Sequence, residues 1–442
     1  CAAVLLKDIP YTFLFHKEKL ASDDAFAYSV MKSFCENRPA HLCDEMNAVG
    51  YEAFGPLLLG FCKWLKQELE SQSIHKVFFF ARDGLIIKRA FNALYPDSGI
   101  ETHYLEVSRR SLRVPQLWMD LCYESVLNSL SAASVQSLVT FFDSVGLKYE
   151  SYASICEEEG LTASYTFKKK DALNNEKLKA VYKRIENDIL ENSQKEYELL
   201  KVYLEQENFC EKVAVVDIGW RGSMQKFLMK LAEKMNLDVI MYGYYIGLAE
   251  GAQVYAKELP IKFKGYVFDC VSHVGEKDLR NPFVGLIETL FLASTGSTEK
   301  YAVKDGTIEA VRYPNEYEVF PRVMTIDAQK VKNIQEGAMQ FINDSIISVL
   351  HDVDVSSKSA FQNLLRIGVA PSKQELRMFG DMEFRDGEIL YLAKPKSILK
   401  YALKPKSLIK DFYNSRWKIG FMKRLLKVPL PYTKMYELMK KI

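Results

Sequence analysis

The residues best suited to do chemistry lie in VAVVDIGWRGSMQ, residues 213–225. An apolar run delivers an acid, Asp217. Two glycines, Gly219 and Gly222, follow with Trp220 and Arg221 between them, and Ser223 opens a helical pattern that includes Gln225. Glycines let backbone N–H groups approach an anion, and a helix N-terminus adds roughly half a positive charge. The pattern therefore predicts a phosphate cradle beside a carboxylate, suited to a ligand with both hydroxyls and phosphate. A plain tight turn, with Gly222 and Ser223 only capping a helix, remains the alternative. The dinucleotide fingerprint G-x-G-x-x-G is absent, and Arg221 stands where a nucleoside-methyltransferase loop needs glycine.

Three further groups bear on the same chemistry. Phe80-Ala81-Arg82-Asp83-Gly84 ends an apolar run in an acid, as in haloacid-dehalogenase phosphatases, but Leu85 occupies the place of their second acid. Asp83 is then available as a general base or a magnesium ligand, or else pairs with Arg82 as a solvated turn residue. Ser108-Arg109-Arg110-Ser111, with Arg113 nearby, sets adjacent guanidiniums where they can grip a diphosphate bidentately, or simply be surface charge. Glu288 interrupts the apolar stretch Asn281 to Glu288 and is either salt-bridged in a core or functional. The six histidines show no ligand or triad spacing, and the eight cysteines include no C-x-x-C. A disulfide framework or structural zinc site is not expected.

The elements that must carry these groups follow from periodicity. Pro56 to Leu69 has helical spacing, and Lys76 to Ala81 reads as a buried strand. Leu85 to Leu94 is helical again, and Thr102 to Val107 is a second strand ending at the arginines. Between about Pro115 and Glu211 the chain is helical, with a charged amphipathic stretch from Lys177 to Leu204. Val213 to Val216 and Val239 to Leu248 read as strands around a helix from Met224 to Met235. Buried strands alternating with helices predict an α/β fold with a Rossmann-like, doubly wound, mainly parallel sheet. Ligands of such sheets sit at the carboxyl ends of the strands, so the turns at 82, 108 and 217 should converge. The expected organisation is a helical lead-in (1–50), a catalytic core (51–115 and 212–300), a helical insertion (116–211), an accessory region (301–393) and a basic amphipathic tail (394–442).

Composition narrows the class. At 442 residues, 48% hydrophobic and 26% charged, the chain is neither disordered nor collagen-like. No apolar run is long enough to span a bilayer, and the N-terminus lacks a signal pattern. The chain begins at Cys1 rather than Met, as a piece of a longer protein would. The net charge of +2 hides an asymmetry: residues 394–442 carry 14 Lys/Arg against Asp411 and Glu437, a balance of +12, leaving −10 on residues 1–393. Two short repeats, KPKSILK and KPKSLIK, begin at Lys394 and Lys404. In RWKIGFMKRLLK, residues 416–427, a helix gathers Trp417, Ile419, Phe421, Met422, Leu425 and Leu426 on one arc, with Lys418 the one basic residue out of place. This arc either meets an anionic membrane surface or packs on the body of the protein. A cytoplasmic protein, peripheral at the inner face of the cell membrane, is expected.

The set FFFARDG, YLEVSRRSL, VAVVDIGWRGSMQ and IETLFLASTGST, in this order and spacing, resembles the glycan-acceptor phosphoribosyltransferase domain of bacterial ribofuranosyltransferases, from about Tyr51 to Tyr301. The resemblance implies transfer of phosphoribosyl from phosphoribosyl diphosphate (PRPP), with Mg2+, to a sugar hydroxyl of a lipid-linked or oligosaccharide glycan acceptor. The phosphatase domain that usually precedes such a transferase has no counterpart here, since no D-x-D-x-T occurs, leaving a separate or missing phosphatase. No nucleic-acid partner is expected. On this reading Asp83 is the base, Asp217 binds the ribose hydroxyls and Glu288 is a further catalytic candidate. Gly222 and Ser223 meet the 5-phosphate, and Arg109 and Arg110 the diphosphate. Arg82, Gly84, Ser108, Gly219, Trp220, Arg221 and Gln225 complete the substrate-binding set. A nucleotide-sugar-dependent glycosyltransferase and a non-catalytic assembly scaffold are the other readings.

Overall fold

The computed structural model describes residues 22–42, 44–130, 135–258, 261–273, 275–320, 323–385 and 389–440. Residues 1–21 of the expected lead-in, with Cys1 and Cys43, lie outside them.

Helix α1 (Gly55–Ser71) leads into strand β1 (Lys76–Phe80), α2 (Gly84–Leu94) and β2 (Glu101–Leu105). After the insertion come the 31-residue helix α3 (Glu176–Gln206), β3 (Glu211–Trp220), α4 (Ser223–Lys234), β4 (Val239–Leu248) and β5 (Lys262–Asp269). The five strands form one sheet in the order β2-β1-β3-β4-β5, every neighbouring pair parallel. The fold is thus α/β with a Rossmann-like parallel sheet. Strand β5 was not anticipated: in KFKGYVFD two lysines alternate with apolar residues, the pattern of an edge strand with one wet side rather than of a buried run.

Alternation along the strands sorts the side chains onto two apolar faces. Val77, Phe79, Ala214, Val216 and Tyr244 share a core with α1 and α2. The same core holds Ile334 and Phe341 of α6 (Ile326–Ile346) and Phe361 and Leu364 of α7 (Ser357–Val369). Part of the 301–393 region is therefore one of the layers covering the sheet. On the opposite face Phe78, Phe80, Val213 and Val215 pack against Leu200 and Leu204 of α3 and Leu228 and Leu231 of α4. The N-terminal half of α3, with Leu178, Val181, Ile185 and Ile189, joins a separate core built from residues 117–172. One helix thus ties the insertion to the sheet.

The tail resolves its two alternatives in favour of packing. Trp417, Ile419, Phe421 and Met422, around helix α8 (Lys418–Leu426), are buried in the core that covers the first face. The Trp417 indole donates to the carbonyl of Gly368 at 2.7 Å. Four of the six residues of the arc expected to meet a membrane thus face inward, while Leu425 is partly buried against the same core and Leu426 is exposed. Lys418, the residue out of place, donates to the carbonyls of Phe412, Tyr413 and Ser415 at 2.7 Å each, satisfying the end of the preceding helix, and burial lowers its pKa to about 8. Among the described residues no helix is long and apolar enough to cross a membrane.

Candidate active site

From β1 the chain crosses to β2 on one side and, through the insertion, to β3 on the other. The crevice between the carboxyl ends of β1 and β3 is therefore the topological switch point of the sheet, where ligands of such folds bind. Asp83 sits just beyond β1 and Asp217 lies near the end of β3. Asp83 stands at the N-cap of α2 without using its side chain as a cap, which leaves the carboxyl for the crevice. Gly84 is required behind it, because a Cβ there would lie 2.9 Å from the backbone of Phe79.

The third acid, Glu288, is on helix α5 (Val284–Leu290) and accepts a hydrogen bond from the Trp220 indole at 2.8 Å. The charges of the three acids act on one another. Burial raises Asp83 well above the usual carboxylate range; Asp217 and Glu288 add to this, while Arg82 and Arg109 oppose it. Burial also pushes Asp217 up to about 6, against the backbone N–H groups of Ile218 and Gly219 and the Arg109 guanidinium, with Glu288 adding to the rise. A cluster of acids that protein cations do not fully neutralise is a common property of sites that handle protons or cationic ligands.

The two arginines near the acids are in different states. Arg82 donates to Oε1 of Glu316 at 2.6 Å, so a residue from the 301–393 region reaches back over the β1 turn. Arg109 is exposed and makes no hydrogen bond or close ion pair among the described residues, although its charge acts on both Asp83 and Asp217. Its neighbour Arg110 does not join the site. That guanidinium makes a bidentate pair with Glu196 of α3, at 2.5 and 3.0 Å, and also donates to the carbonyl of Glu299. The expectation that both arginines hold one diphosphate is corrected accordingly. Ser108 is likewise engaged, accepting from the Ser111 N–H and donating to the carbonyl of Thr298, so it caps the short helix Arg109–Arg113.

The 217–225 loop divides in the same way. Gly219 has φ +114°, and a Cβ there would lie 2.2 Å from the carbonyl oxygen of Gly247. Gly222 has φ +68° at the N-cap of α4, where a Cβ would meet the Phe263 ring at 2.6 Å. Only glycine fits either position. The Ser223 hydroxyl opens α4 with no hydrogen-bond partner among the described residues, beside the unpaired N–H groups of the first helical turn. Gln225, by contrast, is buried, accepts from the Tyr245 hydroxyl at 2.7 Å and lies against Gly243. It braces the loop from within rather than facing a ligand. Trp220 is also mostly buried, stacked on Phe268 with ring centroids 6.0 Å apart. Arg221 is exposed beside Gly251.

Sequence reasoning missed two participants. Arg280 sits over the Trp220 ring at 4.8 Å and is held by Asp278 through its Nε at 3.0 Å. Glu316 partners Arg82 from 234 residues away. Arg280 had a local signal, a charge pair immediately before α5; Glu316 had none.

Among the described residues no group of three His, Cys, Asp or Glu side chains is spaced to hold a metal ion unaided. The oxygen-only acids at the site nevertheless suit a hard divalent cation, which takes one or two protein carboxylates and completes its shell from a ligand and water. No protein-family model and no curated protein matches this chain.

Proposed function

We propose that the chain is a glycan phosphoribosyltransferase, moving 5-phosphoribosyl from PRPP to a sugar hydroxyl of a surface-polysaccharide precursor. The observation that supports this reading is the meeting, at the switch point of the sheet, of Asp83, Asp217 and Glu288 with the unpaired Arg109 and the open N-terminus of α4. Each part of the donor has a counterpart there. The N–H groups after Gly222, with Ser223, suit the 5-phosphate. Asp217 suits the ribose hydroxyls, and Arg109 the diphosphate.

In the reaction the acceptor oxygen bonds to the anomeric carbon as the bond from that carbon to diphosphate breaks, and the electron pair leaves on diphosphate. The acceptor hydroxyl proton passes to a carboxylate. Asp83 suits that role because a carboxyl held above its ordinary range is a stronger base once ionised. Were Asp83 not the base, it would be the residue to hold Mg2+, which when bound neutralises diphosphate charge. Arg109 stabilises the developing charge on the leaving group.

The deciding experiment is a transfer assay with the full chain, using PRPP beside UDP- and GDP-sugars and a panel of saccharide acceptors, with calorimetric titration of each donor. Binding and turnover with PRPP are expected. Activity restricted to a nucleotide sugar overturns the donor assignment, and no donor binding at all favours a scaffold.

A further inference from the structure

The burial of Trp417 and Phe421 removes one candidate membrane surface, but the same tail builds another. Residues 395–399, 423–430 and Tyr432 enclose, with Lys373, Leu376 and Arg377, a groove of about 1390 Å³. Its apolar lining is open to water: Leu399 is 78% exposed, Ile398 57%, Val428 47% and Leu430 43%. The neighbouring Leu403 is 83% exposed, which is unusual for so many aliphatic side chains within one short stretch.

The charges beside this apolar floor are of one sign. Lys373, Arg377 and Lys427 line the groove, are exposed, and make no ion pair among the described residues. Lys396 and Arg424 are already matched to Asp411 and Asp381, and Lys423 to the carbonyl of Pro371, so they shape the groove rather than attract a partner. Among the described residues no acidic side chain lines it. Aliphatic side chains on a segment with a balance of +12, flanked by the unpaired Lys427 and by Lys373 and Arg377 from outside that segment, match an anionic bilayer in both hydrophobicity and charge.

We infer that this groove is a docking surface for a bilayer containing anionic phospholipid, with Leu399, Val428 and Leu430 entering the headgroup region and Lys373, Arg377 and Lys427 at the phosphates. The inference stands apart from the proposed transfer reaction. Its surface takes in Leu425, Leu426 and Lys427 from the end of the 416–427 segment, and it leaves the buried Trp417, Ile419, Phe421 and Met422 in the core.

The test is sedimentation of the full chain with phosphatidylglycerol–phosphatidylcholine vesicles and with pure phosphatidylcholine vesicles, at low and high salt. Binding to the anionic vesicles alone, lost at high salt, is expected. The triple variant Lys373→Glu/Arg377→Glu/Lys427→Glu should weaken it by roughly a hundredfold, each basic residue near the surface contributing about a fivefold gain. Leu399→Asp/Leu430→Asp should also weaken it, without a change in thermal unfolding because both sites are exposed. The control Lys170→Glu/Lys183→Glu/Lys195→Glu, on the insertion, should bind as the unaltered chain does. No binding to anionic vesicles, equal binding to neutral ones, or equal loss in the control overturns the inference. So does self-association of the chain through this groove, seen as a dimer that the leucine variant dissociates.

Discussion

The indole N–H of Trp220 donates to Oε1 of Glu288 at 2.8 Å, joining the loop after β3 to helix α5. Around this bond Phe268 stacks on one aromatic ring system and Arg280 approaches it as a cation. The N–H of Gly285, one turn before Glu288, donates to the carbonyl of Arg416 at 3.0 Å, so the C-terminal tail steadies the same helix. The bond fixes where the Glu288 carboxylate lies relative to Asp217.

Trp220→Phe keeps an aromatic ring against Phe268 and removes only the donor. Loss of a hydrogen bond to a charged acceptor corresponds to about 1.5–3 kcal/mol, or roughly tenfold or more in kcat/KM if Glu288 must be held in place. Steady-state kinetics with PRPP measure this. Unchanged kcat/KM would show that the bond serves the fold alone.

The raised Asp217 makes a prediction about stability. Its carboxyl holds a proton more tightly folded than unfolded, from an ordinary value of 3.8 to about 6, so folding is favoured below the ordinary value and that advantage is lost as pH rises through about 6. Asp217→Asn cannot ionise and should raise the melting temperature at pH 7, by up to about 3 kcal/mol in stability, while abolishing transfer. The gap between the two proteins should close as pH falls from 6 towards 4. A variant less stable than the parent at pH 7 would falsify this account.

The same group should shape the pH–rate profile. If ionised Asp217 is required, log kcat/KM shows an inflection near pH 6, and any further rise at higher pH reports ionisation of Asp83. In Asp217→Asn any residual rate should lose that inflection. A parent profile flat between pH 5 and 7 would remove Asp217 from the reaction.

Asp83→Asn separates base from ligand. As the base, Asp83 should cost about two to four orders of magnitude in kcat with donor affinity nearly unchanged. If calorimetry instead shows that affinity for the magnesium-bound donor collapses, Asp83 binds the donor and Glu288 is left to take the proton.

The arginine pair should split cleanly. Arg109→Ala should weaken PRPP binding by roughly 1.5–3 kcal/mol and change the melting temperature far less than Arg110→Ala, since its guanidinium has no close ion-pair partner among the described residues and acts on Asp83 and Asp217 only through its charge. Arg110→Ala should do the reverse, destabilising by about 3–5 kcal/mol because it strands the buried Glu196 carboxylate. Equal effects of the two variants on donor binding would show that Arg110 is freed when donor binds.

What the sequence determined by itself was local. Apolar runs such as KVFFF and VAVV, broken by polar turns, set β1 and β3, and the glycines of 217–223 set the turn that opens α4, because strand burial and positive φ depend on neighbouring residues. Those signals located Asp83 and Asp217 at strand ends. Tertiary structure alone decided the long-range pairings: Arg110 with Glu196, 86 residues apart, Arg82 with Glu316, and Trp220 with Glu288. A guanidinium in a turn looks the same in sequence whether it awaits a ligand or meets a distant carboxylate. The tail shows the same limit, since an apolar arc at helical spacing satisfies a bilayer and a protein core equally. The core around Trp417, with Gly368 accepting from its indole, decided that Trp417, Ile419, Phe421 and Met422 face inward.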